Sequence, residues 1–220
     1  MSLREAFAAV EARVAAACAR AGRPRESVTL VAVSKLHPPE LIREAHALGQ
    51  RVFGENYAQE LRDKHAALSD LAGLEWHAIG PVQPKNAKYV AKAATVFHAL
   101  DRLDVAQALS QRREGAPLRC LLQVNVAGEA TKAGISPEGA RTLLEQVRAL
   151  PNLELVGLTT LPPLSPEPDA SRPYFQALSQ LGRALGLTEL SMGTTGDFEV
   201  AIEEGATLVR VGTALFGERS

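Results

Sequence analysis

The sequence predicts an α/β fold: a single TIM-type (β/α)8 barrel over residues 1–220 with an additional N-terminal helix. Three observations predict it. Apolar stretches rich in β-branched residues alternate with stretches of helical periodicity along the whole chain. No two predicted strands are joined by a turn typical of a β-hairpin, so the strands should be parallel. Eight parallel strands can close into a barrel that leaves no edge exposed; an open doubly wound sheet is the alternative.

The elements follow in a regular order. A helix over residues 2–21 precedes the first strand, 28–33, which is apolar throughout, as expected for a strand covered on both faces. The later strands are predicted at 51–56, 75–80, 95–100, 118–126 (the longest), 153–160, 189–193 and 208–213. The helices are predicted at 39–48, 57–68, 84–94, 105–113, 137–150 and 173–185. Asp197 should cap a further short helix that Gly205 ends, and the proline-rich segment 161–168 should be a long loop at the barrel mouth.

Composition restricts the class of protein. The net charge of −1 over 220 residues gives no electrostatic reason to expect binding to nucleic acid or to an anionic membrane. No apolar run approaches the roughly 18 residues that a membrane span needs, and the N-terminal segment lacks the apolar core of a signal peptide. Cys18 and Cys120 have neither metal-ligand nor disulfide spacing. We therefore expect a cytoplasmic protein without a metal site, in which both cysteines are small buried residues.

Lys35 is the residue around which a candidate site can be built. It lies two residues beyond the first strand, and Pro38 and Pro39 prevent the strand from continuing and begin a helix. The carboxyl ends of parallel strands form the ligand-binding side of α/β folds. A partly desolvated lysine there has a lowered pKa and can form a Schiff base with a carbonyl compound. The alternative is a lysine at the end of a strand that reaches solvent.

Two loops near the C-terminus are rich in glycine and hydroxyl side chains. One follows the seventh strand (residues 191–197) and the other follows the eighth (residues 212–214). In barrels this pair of loops is the usual phosphate site, because glycines permit a close approach and N–H and O–H groups donate hydrogen bonds. The candidate phosphate ligands are Ser191, Gly193, Gly212 and Thr213. Since the eighth strand of a closed barrel lies beside the first, this phosphate would be next to Lys35, which predicts either pyridoxal 5′-phosphate (PLP) or a sugar phosphate.

Arg210 favours PLP over a sugar phosphate. It lies two residues before Gly212, so the two positions share one face of the strand and Arg210 is one layer deeper. A buried arginine needs an acceptor, and a pyridine nitrogen is suitable. Because arginine keeps its proton, the ring nitrogen stays unprotonated, which makes PLP a poor electron sink and disfavours carbanion chemistry. The alternative is a structural ion pair with Glu55 or another carboxylate.

Several short motifs carry a family resemblance over essentially the whole chain. They are VAVSK (31–35), FGENY (53–57), WHAIGPVQ (76–83), VNV (124–126), KAG (132–134), LSMG (190–193) and VRVGTALFG (209–217). The chain resembles the pyridoxal phosphate homeostasis protein family, which implies a single barrel similar to the N-terminal domain of alanine racemases. The resemblance further implies PLP as a Schiff base on Lys35, with Arg210 facing the pyridine nitrogen. The other implied ligands are Ser191, Gly212 and Thr213 for the phosphate, with Asn56 and His77 at the same mouth; for His77 the alternative is a hydrogen-bonded core histidine. The resemblance also indicates Lys132 as a secondary contact, but a lysine in a solvated loop is the default interpretation.

Three places depart from the family pattern. Thr194 and Thr195 stand where methionine and serine are usual, and we expect phosphate binding to survive because a hydroxyl is kept. Lys85 and Asn86 are exchanged relative to the usual order. Thr160 stands where methionine is common, which bears on packing.

Together these features predict a PLP-binding protein of intracellular vitamin B6 homeostasis rather than an enzyme. A monomer would hold PLP reversibly and pass it to the apo-forms of PLP-dependent enzymes. Racemisation needs an acid–base group on each face of the cofactor, and the sequence offers no evident partner for Lys35. One alternative is a PLP-dependent amino-acid racemase of narrow specificity. A class I aldolase is a weaker one, because such barrels usually carry the amine on a middle strand and residues 155–160 contain no lysine.

Overall fold

The computed structural model describes residues 1–129 and 132–218. Eight parallel strands close into a barrel in the order of the sequence, so the predicted barrel is confirmed. The strands are β1 (Thr29–Val33), β2 (Val52–Glu55), β3 (Glu75–Ala78), β4 (Val96–Leu100), β5 (Leu118–Gln123), β6 (Leu153–Thr159), β7 (Glu189–Ser191) and β8 (Leu208–Val211).

Helices surround the barrel. They are α1 (Leu3–Arg20), α2 (Pro39–Ala47), α3 (Ala58–Ala67), α4 (Ala87–Ala93), α5 (Leu103–Ser110), α6 (Pro137–Arg148), α7 (Arg172–Leu185), α8 (Phe198–Glu203) and α9 (Thr213–Phe216). The predicted additional helix is α1, which precedes β1 and packs against α8 and α9. It begins with a capping box, in which Ser2 and Glu5 each accept a hydrogen bond from the other's backbone N–H.

The first and last strands close the barrel. Leu30 of β1 pairs with Val209 of β8, and Val31 pairs with Arg210. On its other side β8 bonds to β7 and to the loop after it, because the Arg210 N–H donates to the Gly193 carbonyl over 3.0 Å. The closure therefore brings the end of β1, which carries Lys35, beside the loops that follow β7 and β8.

The apolar residues form two layers. The larger lies between the strands and the helices, and includes Cys18 and Cys120, both of which are buried as predicted. The smaller lies inside the barrel and consists of Val31, Val96, Leu121 and Leu208. Within the two described ranges, no helix combines the length and the apolarity that crossing a membrane requires.

Three local predictions need correction. β6 is longer than β5, because the chain leaves β5 after Gln123 and turns back so that the Asn125 N–H bonds to the Ile135 carbonyl. Asp197 precedes α8 but does not cap it with its side chain; its carboxylate accepts hydrogen bonds from the Thr194 N–H and from the Ser171 hydroxyl. The short helix α9 follows β8 directly and was not anticipated from the sequence.

Candidate functional site

A cavity at the carboxyl ends of the strands brings together most of the predicted site. Five of the predicted residues line it: Lys35, Asn56, Arg210, Gly212 and Thr213. The remaining lining residues are Val33, Ile79, Leu161, Leu164, Thr194 and Thr195. The cavity thus combines an amine, a guanidinium and several hydroxyl groups with an apolar side. The predicted loop after β6 contributes Leu161 and Leu164, so it does lie at the mouth.

Arg210 is buried at the base of this cavity without a carboxylate partner among its described hydrogen bonds. Its Nη1 donates to the hydroxyls of Thr159, over 3.0 Å, and of Ser191. Its Nη2 donates to the Thr160 carbonyl over 3.0 Å. Burial lowers the pKa of Arg210 to about 10, so the guanidinium is still charged at neutral pH. A buried cation whose hydrogen-bond partners are all neutral is costly, although the Asp197 carboxylate acts to raise its pKa, and an acceptor on a bound ligand would complete its coordination.

The alternative that Arg210 pairs with Glu55 is not what the structure shows. The Glu55 carboxylate points out of the barrel, where Lys64 of α3 donates to its Oε1 over 2.8 Å. The Ser34 hydroxyl donates to the same oxygen over 2.6 Å. Burial raises the pKa of Glu55 to about 7, although both of these hydrogen bonds act to lower it.

A chain of polar side chains runs from Arg210 down the inside of the barrel. The Ser191 hydroxyl lies 2.8 Å from Nδ1 of His98, and Nε2 of His98 lies 2.9 Å from Nδ1 of His77. Burial, helped by the charge of Arg119, lowers the pKa of His77 to about 3. Burial and nearby positive groups, Arg210 among them, hold the pKa of His98 well below its ordinary value. Both imidazoles are therefore neutral at physiological pH, so each can donate one hydrogen bond and accept another.

Three of the predicted residues do not line the mouth. His77 instead borders a polar cavity at the opposite end of the barrel, because the strand period fixes the face of a residue but not its layer. Ile79, two residues further along, is the residue of that face that reaches the mouth. The Ser191 side chain points into the barrel and supports Arg210.

Gly193 is required for packing against α8. Its φ is +90°, and a Cβ at this position would come within 2.6 Å of the Ala201 Cβ of α8. Glycine is therefore needed for the close approach of the loop to α8.

The structure also adds residues that the motifs did not single out. Thr194 and Thr195 line the mouth, beside Gly212 and Thr213. The signal was present in the sequence, because these are the two positions at which the family pattern changes while a hydroxyl is kept. Lys132 lies in an adjoining cavity with the loop after β6, and its Nζ pairs with Glu129 over 2.6 Å.

Comparisons with known proteins first define the class of barrel to which this chain belongs. A family profile described as "Alanine racemase, N-terminal domain" matches residues 7–220. The solved alanine racemase of Clostridium difficile superposes with a TM-score of 0.74 over 99% of this chain and 56% of its own, at 13% identity, which shows a shared fold. The chain is thus a barrel of the alanine racemase N-terminal type.

More similar proteins define the family. The pyridoxal phosphate homeostasis protein of Pseudomonas aeruginosa is 48% identical over 222 residues, which cover 99% of this chain and 96% of that protein. The protein of the same name from Aquifex aeolicus is 44% identical over 227 residues, covering 100% and 99% of the two chains. PipY of Synechococcus elongatus, solved with PLP bound, superposes with a TM-score of 0.83 at 35% identity and covers 98% of this chain and 100% of its own. The chain belongs to the family of pyridoxal phosphate homeostasis proteins, which confirms the resemblance found in the sequence.

Proposed function

We propose that this protein binds PLP reversibly in the mouth cavity and acts in intracellular PLP homeostasis without catalytic turnover. The observation that carries the proposal is Arg210, a buried guanidinium with neutral partners that shares one cavity with Lys35. PLP matches these two groups, since it offers a pyridine nitrogen at one end of its ring and an aldehyde near the other. The PLP-bound structure of PipY supports the same reading.

Each lining residue has a role in this proposal. PLP supplies an aldehyde that condenses with a primary amine and releases water, and Lys35 provides that amine as the Schiff-base partner. Arg210 donates a hydrogen bond to the pyridine nitrogen. Thr194, Thr195, Gly212 and Thr213 donate to the phosphate, and Asn56 and the apolar side chains enclose the ring. Arg210 is supported from below by the Ser191 hydroxyl, and Ser191 is in turn bonded to His98 and His98 to His77. These three residues act on the cofactor only through Arg210.

The lining of the cavity supports binding rather than turnover. Racemisation needs an acid or base on each face of the cofactor. Among the described residues that line the mouth, only Lys35 offers a side chain suited to exchange protons near neutral pH, since arginine stays charged and the others are hydroxyl, amide or apolar groups. Arg210 also keeps the ring nitrogen unprotonated, which weakens carbanion stabilisation. In the cell, this proposal describes a monomeric cytoplasmic protein that passes PLP to apo-enzymes.

Absorption spectra and chemical trapping test the proposal. Wild-type protein mixed with PLP should develop a visible band, and borohydride should then fix the pyridoxyl group on the peptide that contains Lys35. The variant Lys35→Ala should show neither, whereas Lys88→Ala, which removes an exposed lysine of α4, should behave as wild type. If the Lys35→Ala variant were labelled by borohydride as strongly as the wild-type protein, the assignment of Lys35 as the reacting amine would be overturned. Lys35-dependent exchange of the Cα hydrogen of any amino acid in deuterated water would overturn the absence of turnover.

A further inference from the structure

A buried cluster of charged side chains lies behind Lys35, on the outside of the barrel. It consists of Glu55 at the end of β2 with Glu60 and Lys64 of α3, and we call it the charged clamp. Lys64 is only 5% exposed. Its Nζ donates to Oε1 of Glu55 over 2.8 Å and to Oε1 of Glu60 over 2.7 Å. All three ionisable groups are thus joined through one ammonium.

The clamp also bonds to the residues on both sides of Lys35. The third hydrogen bond of Lys64 goes to the Ser34 carbonyl over 2.7 Å, and the Ser34 hydroxyl donates to Glu55 over 2.6 Å. On the other side, the Leu36 N–H donates to Oε1 of Glu60 over 2.6 Å. The backbone before and after Lys35 is therefore fixed by the same three side chains.

The conformation of the lysine loop indicates that it is held from outside. Leu36 has φ of +64°, in the left-handed region that side chains other than glycine rarely adopt. Leu36 is 57% exposed, so apolar packing does not account for this conformation. A strained backbone of this kind persists where surrounding contacts over-determine it, and such sites cluster at ligand-binding positions.

The clamp is also an expensive way to attach α3 to the barrel. Two carboxylates and an ammonium lose most of their hydration here, and Oε2 of Glu55 and Oε2 of Glu60 are buried without a hydrogen-bond partner. Apolar residues of similar size often stabilise a protein as well as a buried ion pair does. What apolar residues could not do is bond to the carbonyl, hydroxyl and N–H groups that flank Lys35.

We propose that Glu55, Glu60 and Lys64 are positioning residues that hold the backbone around Lys35 so that its amine is directed at the aldehyde of an incoming PLP. This inference rests on the proposed function. It states that the clamp determines how fast Lys35 reacts with PLP. None of its three members lines the mouth cavity, so they act through Lys35.

Variants of Glu60 test the clamp, because its side chain is partly exposed and lies away from the barrel core. Glu60→Ala removes the acceptor of the Leu36 N–H. Glu60→Gln keeps an acceptor oxygen at the same reach and serves as the conservative rescue. Asp63→Ala is the matched control, because it removes an exposed carboxylate from the same helix. Two quantities are measured: hydrogen–deuterium exchange of the Leu36 amide in PLP-free protein, and the rate constant of PLP uptake followed by absorption.

Glu60→Ala should speed exchange of the Leu36 amide and slow PLP uptake, each by about tenfold, since small displacements of a reacting group cost rate steeply. Glu60→Gln should restore most of both, and Asp63→Ala should change neither. If Glu60→Ala does not fold, Glu60→Asp, which keeps the charge but shortens the reach, should show the same two changes. Wild-type uptake in a folded Glu60→Ala or Glu60→Asp variant would overturn the clamp alone. A wild-type protein that takes up no PLP would instead overturn the proposed function.

Discussion

The charged clamp and the polar chain under Arg210 lie on either side of the same site but handle charge in opposite ways. The clamp pairs one ammonium with two carboxylates, and the other described hydrogen bonds of these side chains go to the protein backbone and to the Ser34 hydroxyl. The chain joins the Arg210 guanidinium to Ser191, His98 and His77 without a carboxylate. The difference is explained if the clamp binds only groups of the protein itself, whereas Arg210 remains able to bind an acceptor on a ligand.

Removing the cation from each cluster should therefore have opposite consequences. Lys64→Met leaves two buried carboxylates without their ammonium, and we expect a loss of about 3 kcal/mol in the free energy of unfolding at pH 8. Urea denaturation of PLP-free protein measures it. The control is Lys88→Met on the surface of α4, which should change stability by less than about 0.5 kcal/mol. A loss below about 1 kcal/mol for Lys64→Met would show that the clamp is not a tightly coupled unit.

Arg210→Met should spare stability and weaken ligand binding. The side chain removed has neutral partners, so its loss leaves no buried charge behind, and we expect the free energy of unfolding to change by less than about 1 kcal/mol. The affinity for PLP should fall about 10- to 100-fold, as expected for the loss of one charge-assisted hydrogen bond. Urea denaturation and a spectroscopic PLP titration measure the two effects. A large loss of stability with unchanged affinity would make Arg210 a structural residue.

The features of the site that could be predicted from the sequence follow from the order of the strands and from the two-residue period of side chains along a strand. The barrel, the position of Lys35 at the end of β1, and the shared face of Arg210 and Gly212 all depend on local patterns that persist after folding. Closure then made neighbours of residues far apart in the chain, as the pairing of Val31 with Arg210 confirms.

What sequence could not predict depends on depth and on packing between elements. His77 of β3 and Ile79, one residue beyond β3, point to the same face, and nothing local states which of the two reaches the mouth. Lys64 occupies a helix that is rich in charge, where a lysine normally faces solvent. Its burial follows only from the way α3 covers the ends of β1 and β2. The glycine at position 193 indicated a close approach of the backbone to another group, but the sequence did not indicate that this group belongs to α8.

The neutral histidines should make the protein sensitive to acid. The folded-state pKa of His77 is lowered from 6.5 to about 3, so the unfolded chain binds protons more readily over this window. The stability gained from burying neutral imidazoles is therefore present above pH 6.5 and is lost as the pH falls, by up to about 1.4 kcal/mol per pH unit for each histidine. His98→Asn should flatten this decline between pH 6 and pH 4 in urea denaturation series. An unchanged slope would mean that the histidine pair takes up protons without unfolding.

Glu55 should contribute a slope of the opposite sign over a narrower range of pH. Its folded-state pKa is raised from 4.5 to about 7, so the folded protein holds the proton more tightly than the unfolded chain does between these values. The stability from this group is complete below pH 4.5 and is lost as the pH rises toward 7, by up to about 1.4 kcal/mol per pH unit. Lys64 keeps this pH range narrow, because its charge and its hydrogen bond act against the rise in the pKa of Glu55. Glu55→Gln, measured in the same series, should make stability rise more steeply with pH over this window, whereas His98→Asn should make it rise less steeply. Parallel changes in the two variants would contradict the contrast between a clamp that carries its own charge and a chain that is kept neutral.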